Sequence, residues 1–156
     1  MSIAGIGTDL VEIERVRHAL ARHGDRFAER ILTAAEQVPM RNSADPAALL
    51  ARRFAAKEAA AKALGCGIGA EAGFRELVIA HDAAGAPQLV FTGNAAERAQ
   101  RLGVTQTHLT ISDERAYALA FVILERSGLD PATGHSVDHS GGSAAGARRG
   151  FPSRSR

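Results

Sequence analysis

One alanine-rich segment, residues 47–64, constrains the fold of this chain more than any other feature. It contains no glycine, and Gly65 follows it directly. Alanine has the highest helix propensity, and glycine is the usual residue just beyond a helix end. We therefore predict one helix over residues 47–64, followed by a glycine-rich loop.

The segments around this helix predict shorter helices and strands in mixed order. Alternating apolar residues predict a strand over residues 3–10, and Thr33 with Glu36 three residues later is typical of a capping box at a helix start. The other predicted elements are a helix from Ile13 that stops at Gly24, a helical turn over 27–32, a hairpin over 76–80 and 88–91, a helix capped by Asn94 that ends at Gly103, and strands over 107–112 and 116–125. This order predicts an α+β fold, in one domain over residues 1–126.

The positive net charge of the chain comes from its C-terminal end. Residues 127–156 hold four Arg and two Asp, which account for the whole formal charge of +2, whereas residues 1–126 hold 15 basic and 15 acidic groups. The charge is therefore weak evidence for a nucleic-acid partner. The same Gly/Ser/Arg-rich stretch has too little apolar surface to offset its ordering entropy, so we predict a flexible tail over residues 127–156.

Composition excludes several other classes of protein. A single cysteine, Cys66, excludes a disulfide framework. No apolar run approaches 18 residues, and the N-terminus lacks the pattern of a signal peptide. We expect a cytoplasmic protein with neither a membrane nor a nucleic acid as its partner.

Asp9 is the first candidate functional residue. On the predicted strand it shares a face with Gly5 and Gly7, which we expect to leave open space for a metal or a phosphate-bearing ligand. The alternative is that Asp9 only ends the strand and caps the next helix.

The predicted long helix carries a second group of charged residues. Glu58 lies about 40° around the helix from Phe54, at the edge of the apolar stripe. Glu58 and Lys62 have the spacing of an exposed ion pair. Arg53 and Lys57 have the same spacing and like charge, so they repel unless an anion joins them. The alternative is therefore a cationic helix face around one carboxylate, which suits a polyphosphate with a divalent cation.

Glycines alternate at positions 65, 67 and 69, just after this helix. Such glycines either form a plain helix end and loop or expose backbone N–H groups to a ligand. Since a helix C-terminus carries the negative end of the dipole, a phosphate here would need Lys62 or a metal to offset it.

Two further patterns are ambiguous by themselves. His108, Thr110 and Ser112 share one strand face, which is either a solvated edge or a binding wall. Arg15 and Arg22 share a helix face, which carries either solvated charges or a docking surface for an acidic partner.

Two segments together resemble the signatures of the holo-acyl-carrier-protein synthases, the small class of 4′-phosphopantetheinyl transferase. They are residues 5–15, GIGTDLVEIER, and residues 53–65, RFAAKEAAAKALG. Leu32-Thr33 with Glu36, Gly67-Ile68-Gly69 and His108 add to the resemblance, which spans about residues 3–125. Two features depart from the family pattern: Asp113-Glu114 follows Ser112 where the family often has His-Ser, and the tail has no counterpart.

The resemblance implies a fold with an antiparallel sheet packed with helices, and a Mg²⁺-dependent enzyme of fatty acid biosynthesis. Such an enzyme transfers the 4′-phosphopantetheine group from coenzyme A to a serine of apo acyl carrier protein and releases adenosine 3′,5′-bisphosphate. Family members of this short type are homotrimers with active sites shared between protomers. The alternative function is a non-enzymatic carrier-protein or RNA-binding module, in which Asp9 and Glu58 are structural.

The resemblance also implies roles for individual residues. Asp9 and Glu58 would bind Mg²⁺ and, with Lys62, form the catalytic set; we hypothesise that Glu58, directly or through a metal-bound water, receives the serine proton. Arg15 and Arg22 would meet the acidic helix of the carrier protein. With Lys57 added from the cationic helix face, the predicted coenzyme A-binding residues are Arg53, Lys57, Lys62, Gly65, Gly67, Ile68 and His108.

Overall fold

The computed structural model describes residues 1–128, so all but the first two residues of the predicted tail, 127–156, lie outside the described range. In chain order the elements are β1 (Ser2–Glu12), α1 (Ile13–His23), α2 (Asp25–Ile31), α3 (Ala34–Arg41), α4 (Pro46–Ala63), a 3-10 turn (Phe74–Glu76), β2 (Leu77–His81), β3 (Pro87–Phe91), α5 (Gly93–Arg101), β4 (Val104–Asp113) and β5 (Tyr117–Arg126). The α+β prediction is confirmed.

The strands form two antiparallel sheets. The three-stranded sheet has the order β1-β5-β4, and β2 pairs with β3 in a separate hairpin. Alternate residues of the central strand β5 are fully buried in the core: Ala118, Ala120, Val122 and Leu124. The opposite face of this sheet leaves large apolar side chains exposed, among them Ile6, Leu10, Leu119 and Phe121. The sheet therefore has one face packed on helices and one apolar face open.

Helix α4 lies at the centre of the molecule, with eleven of its eighteen residues buried. Its N-terminus is capped by Asp45, whose carboxylate accepts a hydrogen bond from the Ala48 N–H at 3.1 Å. Small alanine side chains let neighbouring elements approach its backbone closely. The predicted bounds, residues 47–64, agree with the structure to within one residue.

Strand β1 packs directly on the backbone of α4 at two glycines. A Cβ atom at Gly7 would overlap the Ala59 carbonyl oxygen, and one at Gly5 would overlap that of Ala63. The prediction of open space above these glycines is therefore wrong, because the helix fills it. Only residues without a side chain permit this approach, which brings the middle of β1 against the C-terminal part of α4.

Two predicted helix caps have different outcomes. The capping box is confirmed: Glu36 N–H donates to Thr33 Oγ1 at 3.3 Å, and Thr33 N–H donates to Glu36 Oε2 at 2.9 Å. The cap predicted at Asn94 is wrong, because α5 begins one residue earlier, and the Glu76 carboxylate accepts from the Asn94 N–H at 3.0 Å. No helix in residues 1–128 combines the length and apolar character needed to cross a membrane.

Candidate active site

Asp9 and Lys62 meet where β1 crosses α4. The Lys62 ammonium donates to Asp9 Oδ1 at 2.7 Å and to the Thr8 carbonyl oxygen at 3.0 Å. The Lys62 side chain is 49% exposed and that of Asp9 is 16% exposed, so the pair is open to solvent on the lysine side. Asp9 does not cap a helix, because β1 continues to Glu12 and α1 starts after it.

Glu58 lies one helical turn before Lys62 on α4 and shares the electrostatic environment of this pair. Partial burial raises the pKa of Glu58, the nearby Asp9 carboxylate raises it further, and Lys62 opposes both effects. Two carboxylates and one lysine, distant along the chain, thus converge at one place. The simple Glu58–Lys62 ion pair is not what the structure contains, since Lys62 bonds to Asp9.

This pair of carboxylates fits a Mg²⁺ ion. Mg²⁺ takes oxygen ligands, keeps several waters, and is usually held by one or two carboxylates together with substrate phosphates. A cation between Asp9 and Glu58 would also remove the repulsion that raises the pKa of Glu58. Within residues 1–128 there is no cluster of three or more His, Cys, Asp or Glu side chains that could hold a metal by themselves.

The glycine loop begins where α4 ends. Gly65 and Gly67 have φ angles of 71° and 65°, the left-handed region that favours glycine. The backbone bonds agree with a plain helix end and loop and leave none of the three N–H groups free: Gly65 N–H donates to Lys62 O, Gly67 N–H to Ala61 O, and Gly69 N–H to Ala72 O. The space above Gly67 and Gly69 is nevertheless open, because no heavy atom lies within 4 Å of a Cβ built there.

Lys57 does not line a ligand site, so its prediction as a coenzyme A-binding residue is wrong. Its side chain is fully buried, and its ammonium donates to Glu36 Oε2 and Ile31 O at 2.7 Å and to Phe74 O at 3.0 Å. Burial lowers the pKa of Lys57, and the Glu36 carboxylate opposes that effect. The anion expected beside Arg53 and Lys57 is therefore Glu36, supplied by the protein itself.

Arg53 lies on a different side of α4 from the carboxylates, about 140° around the helix from Glu58. It is 7% exposed and lines a cavity of about 330 Å³ between α4 and the β2–β3 hairpin. Its Nη2 lies 3.5 Å from His81 Nε2, and its buried Nε has no hydrogen-bond partner among the described residues. Burial lowers the pKa of this guanidinium.

His108 lies on the open face of the three-stranded sheet, away from α4. It is opposite Ile123 in the register, and its Nε2 lies 3.2 Å from Glu125 Oε2. One chain thus brings Asp9, Glu58, Lys62 and the glycine loop together, but keeps Arg53 and His108 apart from them. The predicted coenzyme A-binding residues form separate groups on one protomer.

Two cavities flank α1, the helix that carries Arg15 and Arg22. A cavity of about 440 Å³ is basic and is lined by Arg22, His23, Arg26, Phe27 and Arg30. A second, of about 240 Å³, is mainly apolar and reaches from Arg15 past Phe27 to Leu10, the residue after Asp9, and to Phe54. Sequence analysis missed Arg30, which the i,i+4 spacing from Arg26 on α2 would have indicated.

The fold and this site define the class of protein. The chain belongs to the 4′-phosphopantetheinyl transferase superfamily, whose family model matches residues 5–122.

Individual relatives narrow the assignment. The chain is 57% identical over 122 residues to the holo-[acyl-carrier-protein] synthase of Halorhodospira halophila, a match that covers 78% of this chain and 97% of the relative. The crystal structure of the synthase from Neisseria meningitidis superposes with a TM-score of 0.76 at 40% identity, covering 80% of this chain and all of that one. The Helicobacter pylori synthase in complex with coenzyme A has a TM-score of 0.69 at 30% identity, covering 77% and 99%. Within the superfamily the chain is therefore a member of the holo-[acyl-carrier-protein] synthase family, and it is a 4′-phosphopantetheinyl transferase.

Proposed function

We propose that Asp9, Glu58 and Lys62 form the catalytic centre that transfers 4′-phosphopantetheine from coenzyme A to a serine of apo acyl carrier protein. The observation that carries this proposal is the convergence of two carboxylates and one lysine where β1 crosses α4. Two comparisons support it. The chain matches a holo-[acyl-carrier-protein] synthase over nearly that relative's whole length, and another similar synthase was solved in complex with coenzyme A.

The reaction breaks the phosphoanhydride bond of coenzyme A and forms a phosphate ester bond to the serine. The serine oxygen bonds to the phosphorus that carries the pantetheine arm, and the bond from that phosphorus to the bridging oxygen of the pyrophosphate breaks. Adenosine 3′,5′-bisphosphate leaves with the bridging oxygen. Mg²⁺ held by Asp9 and Glu58 would neutralise negative charge on the pyrophosphate.

The side chains of the site match the charges that this exchange develops. The half-exposed Lys62 ammonium can pair with the leaving bisphosphate, where positive charge stabilises the transition state. Glu58 would take up the serine proton, directly or through a metal-bound water. The open surface above Gly67, next to Ile68 and Gly65, gives coenzyme A room to lie against the end of α4.

A homotrimer is part of this proposal, because a single chain separates the coenzyme A-binding residues. Arg53 and His108 would reach the ligand from a neighbouring protomer. The apolar sheet face offers the interface: Ile6, Leu10, Leu119 and Phe121 are 54%, 62%, 42% and 37% exposed and lie side by side on β1 and β5. Large exposed apolar patches of this kind mark protein–protein interfaces, and we propose that a second copy of the chain covers this one.

The carrier protein would dock on α1 and α2. Arg22 belongs to a basic surface that continues through Arg26 and Arg30 around one cavity, and Arg15 lines the apolar cavity on the other side of α1. An acidic helix is complementary to this charge. The apolar cavity beside it reaches Phe54, one helical turn before Glu58 on α4, so a partner docked here can present its serine to the catalytic centre.

The proposal is tested by incubating the protein with coenzyme A, Mg²⁺ and an apo acyl carrier protein and weighing the carrier by mass spectrometry. We expect the carrier to gain the mass of one phosphopantetheine group. Glu58→Gln should abolish this gain while the oligomeric state stays unchanged, and the exposed carboxyl variant Glu97→Gln is the matched control. Carrier binding without any mass gain would instead support the non-enzymatic module.

A further inference from the structure

The side chain of Arg98, on α5, contacts residues on both sides of the alternating glycines. Its Nε donates to the Leu64 carbonyl oxygen at 3.1 Å, at the C-terminal end of α4. Its Nη1 pairs with Glu71 Oε2 at 3.2 Å, on the far side of the loop. The guanidinium also lies against the loop itself, since Nη2 is 3.7 Å from a Cβ built at Gly65. One side chain thus connects Leu64, which precedes the alternating glycines, to Glu71, which follows them.

A second residue of the same helix adds to this tie. Asn94, one turn before Arg98, donates from its side-chain amide to the Ala70 carbonyl oxygen at 3.0 Å. The loop needs such support because glycine has more backbone freedom to lose than any other residue. Arg98 also places positive charge at the negative end of the α4 dipole, in addition to Lys62, which the sequence had suggested for this role.

We propose that Arg98 is a positioning residue for coenzyme A: it holds the glycine loop in its binding conformation and offsets the helix dipole next to it. This inference rests on the proposed role of the glycine loop in binding coenzyme A. Arg98 acts through Leu64 and Gly65 and takes no part in the transfer step. Its loss should therefore weaken coenzyme A binding and leave the chemistry intact.

The test is the steady-state kinetics of Arg98→Leu with coenzyme A and apo carrier protein as the varied substrates. We expect the KM for coenzyme A to rise about tenfold, the equivalent of about 1.4 kcal/mol. The kcat and the KM for the carrier should stay within about twofold of the parent values, because saturating coenzyme A refills the site. Arg101→Leu is the matched control, since Arg101 lies 3.7 Å from Glu71 but is not bonded to Leu64.

Hydrogen exchange of the free protein supplies a readout that does not depend on activity. The amides of residues 65–70 should exchange faster in Arg98→Leu than in the parent or in Arg101→Leu, with exchange in β5 unchanged. Asn94→Ala, which removes the second tie, should raise the same KM by a smaller factor and serves if Arg98→Leu does not fold.

The outcomes separate this inference from the proposed function. A parent protein that fails to modify the carrier would overturn the proposed function. An active parent whose Arg98→Leu variant matches Arg101→Leu in the KM for coenzyme A and in loop exchange would overturn the role of Arg98. A lower kcat together with a rise in both KM values would also contradict it, because that result indicates a general structural defect.

Discussion

Replacing Lys57 by methionine is the sharpest test of how α4 is held in place. Methionine retains most of the side-chain volume and removes the ammonium, which is fully buried and bonded to three oxygen atoms. The Glu36 carboxylate, itself 5% exposed, would keep only its bonds from the Thr33 and Ile79 N–H groups. The carbonyl oxygens of Ile31 and Phe74 would lose the same donor.

The size of the effect follows from these contacts. Removing one partner of a buried ion pair destabilises a protein by about 3–5 kcal/mol, because the remaining charge stays buried. The two amide donors left on Glu36 moderate the loss, whereas the Ile31 carbonyl group, which loses its donor, adds to it; the Phe74 carbonyl keeps its bond from the Leu77 N–H. We expect the free energy of unfolding to fall by about 4 kcal/mol, a large part of the roughly 5–15 kcal/mol typical of a whole domain.

Urea denaturation of the parent and the variant, followed by circular dichroism, measures this difference. Lys62→Met is the control, because Lys62 is the only other lysine of the chain and its ion pair with Asp9 is half-exposed. An exposed pair contributes about 0–1 kcal/mol, so Lys62→Met should unfold almost like the parent while losing transfer activity. A Lys57→Met variant that loses less than about 1 kcal/mol would refute the assignment of Lys57 to the buried pair.

Three further predictions concern the surface of the protein. Reversing the charge of Arg15 and Arg22 to Glu should raise the KM for the carrier protein by about tenfold or more, without changing coenzyme A binding measured by calorimetry; an unchanged carrier KM contradicts the docking surface. Phe121→Glu should dissociate the oligomer, as measured by light scattering, and a trimer that survives it contradicts the proposed interface. Asp45→Ala should destabilise the protein by about 1 kcal/mol at pH 7, through loss of the α4 cap. Hydrogen bonding to Arg17 lowers the pKa of Asp45 from 3.8 to about 2, so the difference from the parent should shrink as the pH falls from about 4 towards 2; a constant difference in thermal unfolding refutes this.

Local signals along the chain predicted most of the secondary structure. The Thr33–Glu36 capping box formed as expected, because both partners lie within one helical turn. The start of α5 was misplaced, because its first free N–H groups are met by Glu76, eighteen residues away. A cap supplied from another part of the fold leaves no local pattern in the sequence.

The sequence indicated residues of the candidate site but not the packing that brings them together. Asp9 and Lys62 were both singled out, yet the sequence suggested open space where Gly5 and Gly7 in fact press β1 against α4. That contact is what brings the Asp9 carboxylate to within 2.7 Å of the lysine. The tie from Arg98 to the glycine loop had no signal at all, because it joins elements separated by 34 residues.

The two lysines of α4 show what sequence and tertiary structure each decide. Residue types and helical spacing were enough to predict a helix and its bounds, whereas the family resemblance was needed to join Asp9 and Glu58 in one site. The sequence-based prediction grouped Lys57 and Lys62 on one cationic helix face, although five residues of helix separate them by about 140°. Only the packing decided that the first lysine is enclosed with Glu36 and the second is open to solvent. The physical reason is that burial depends on which distant segments cover each side of a helix, and the helix's own sequence does not contain that information.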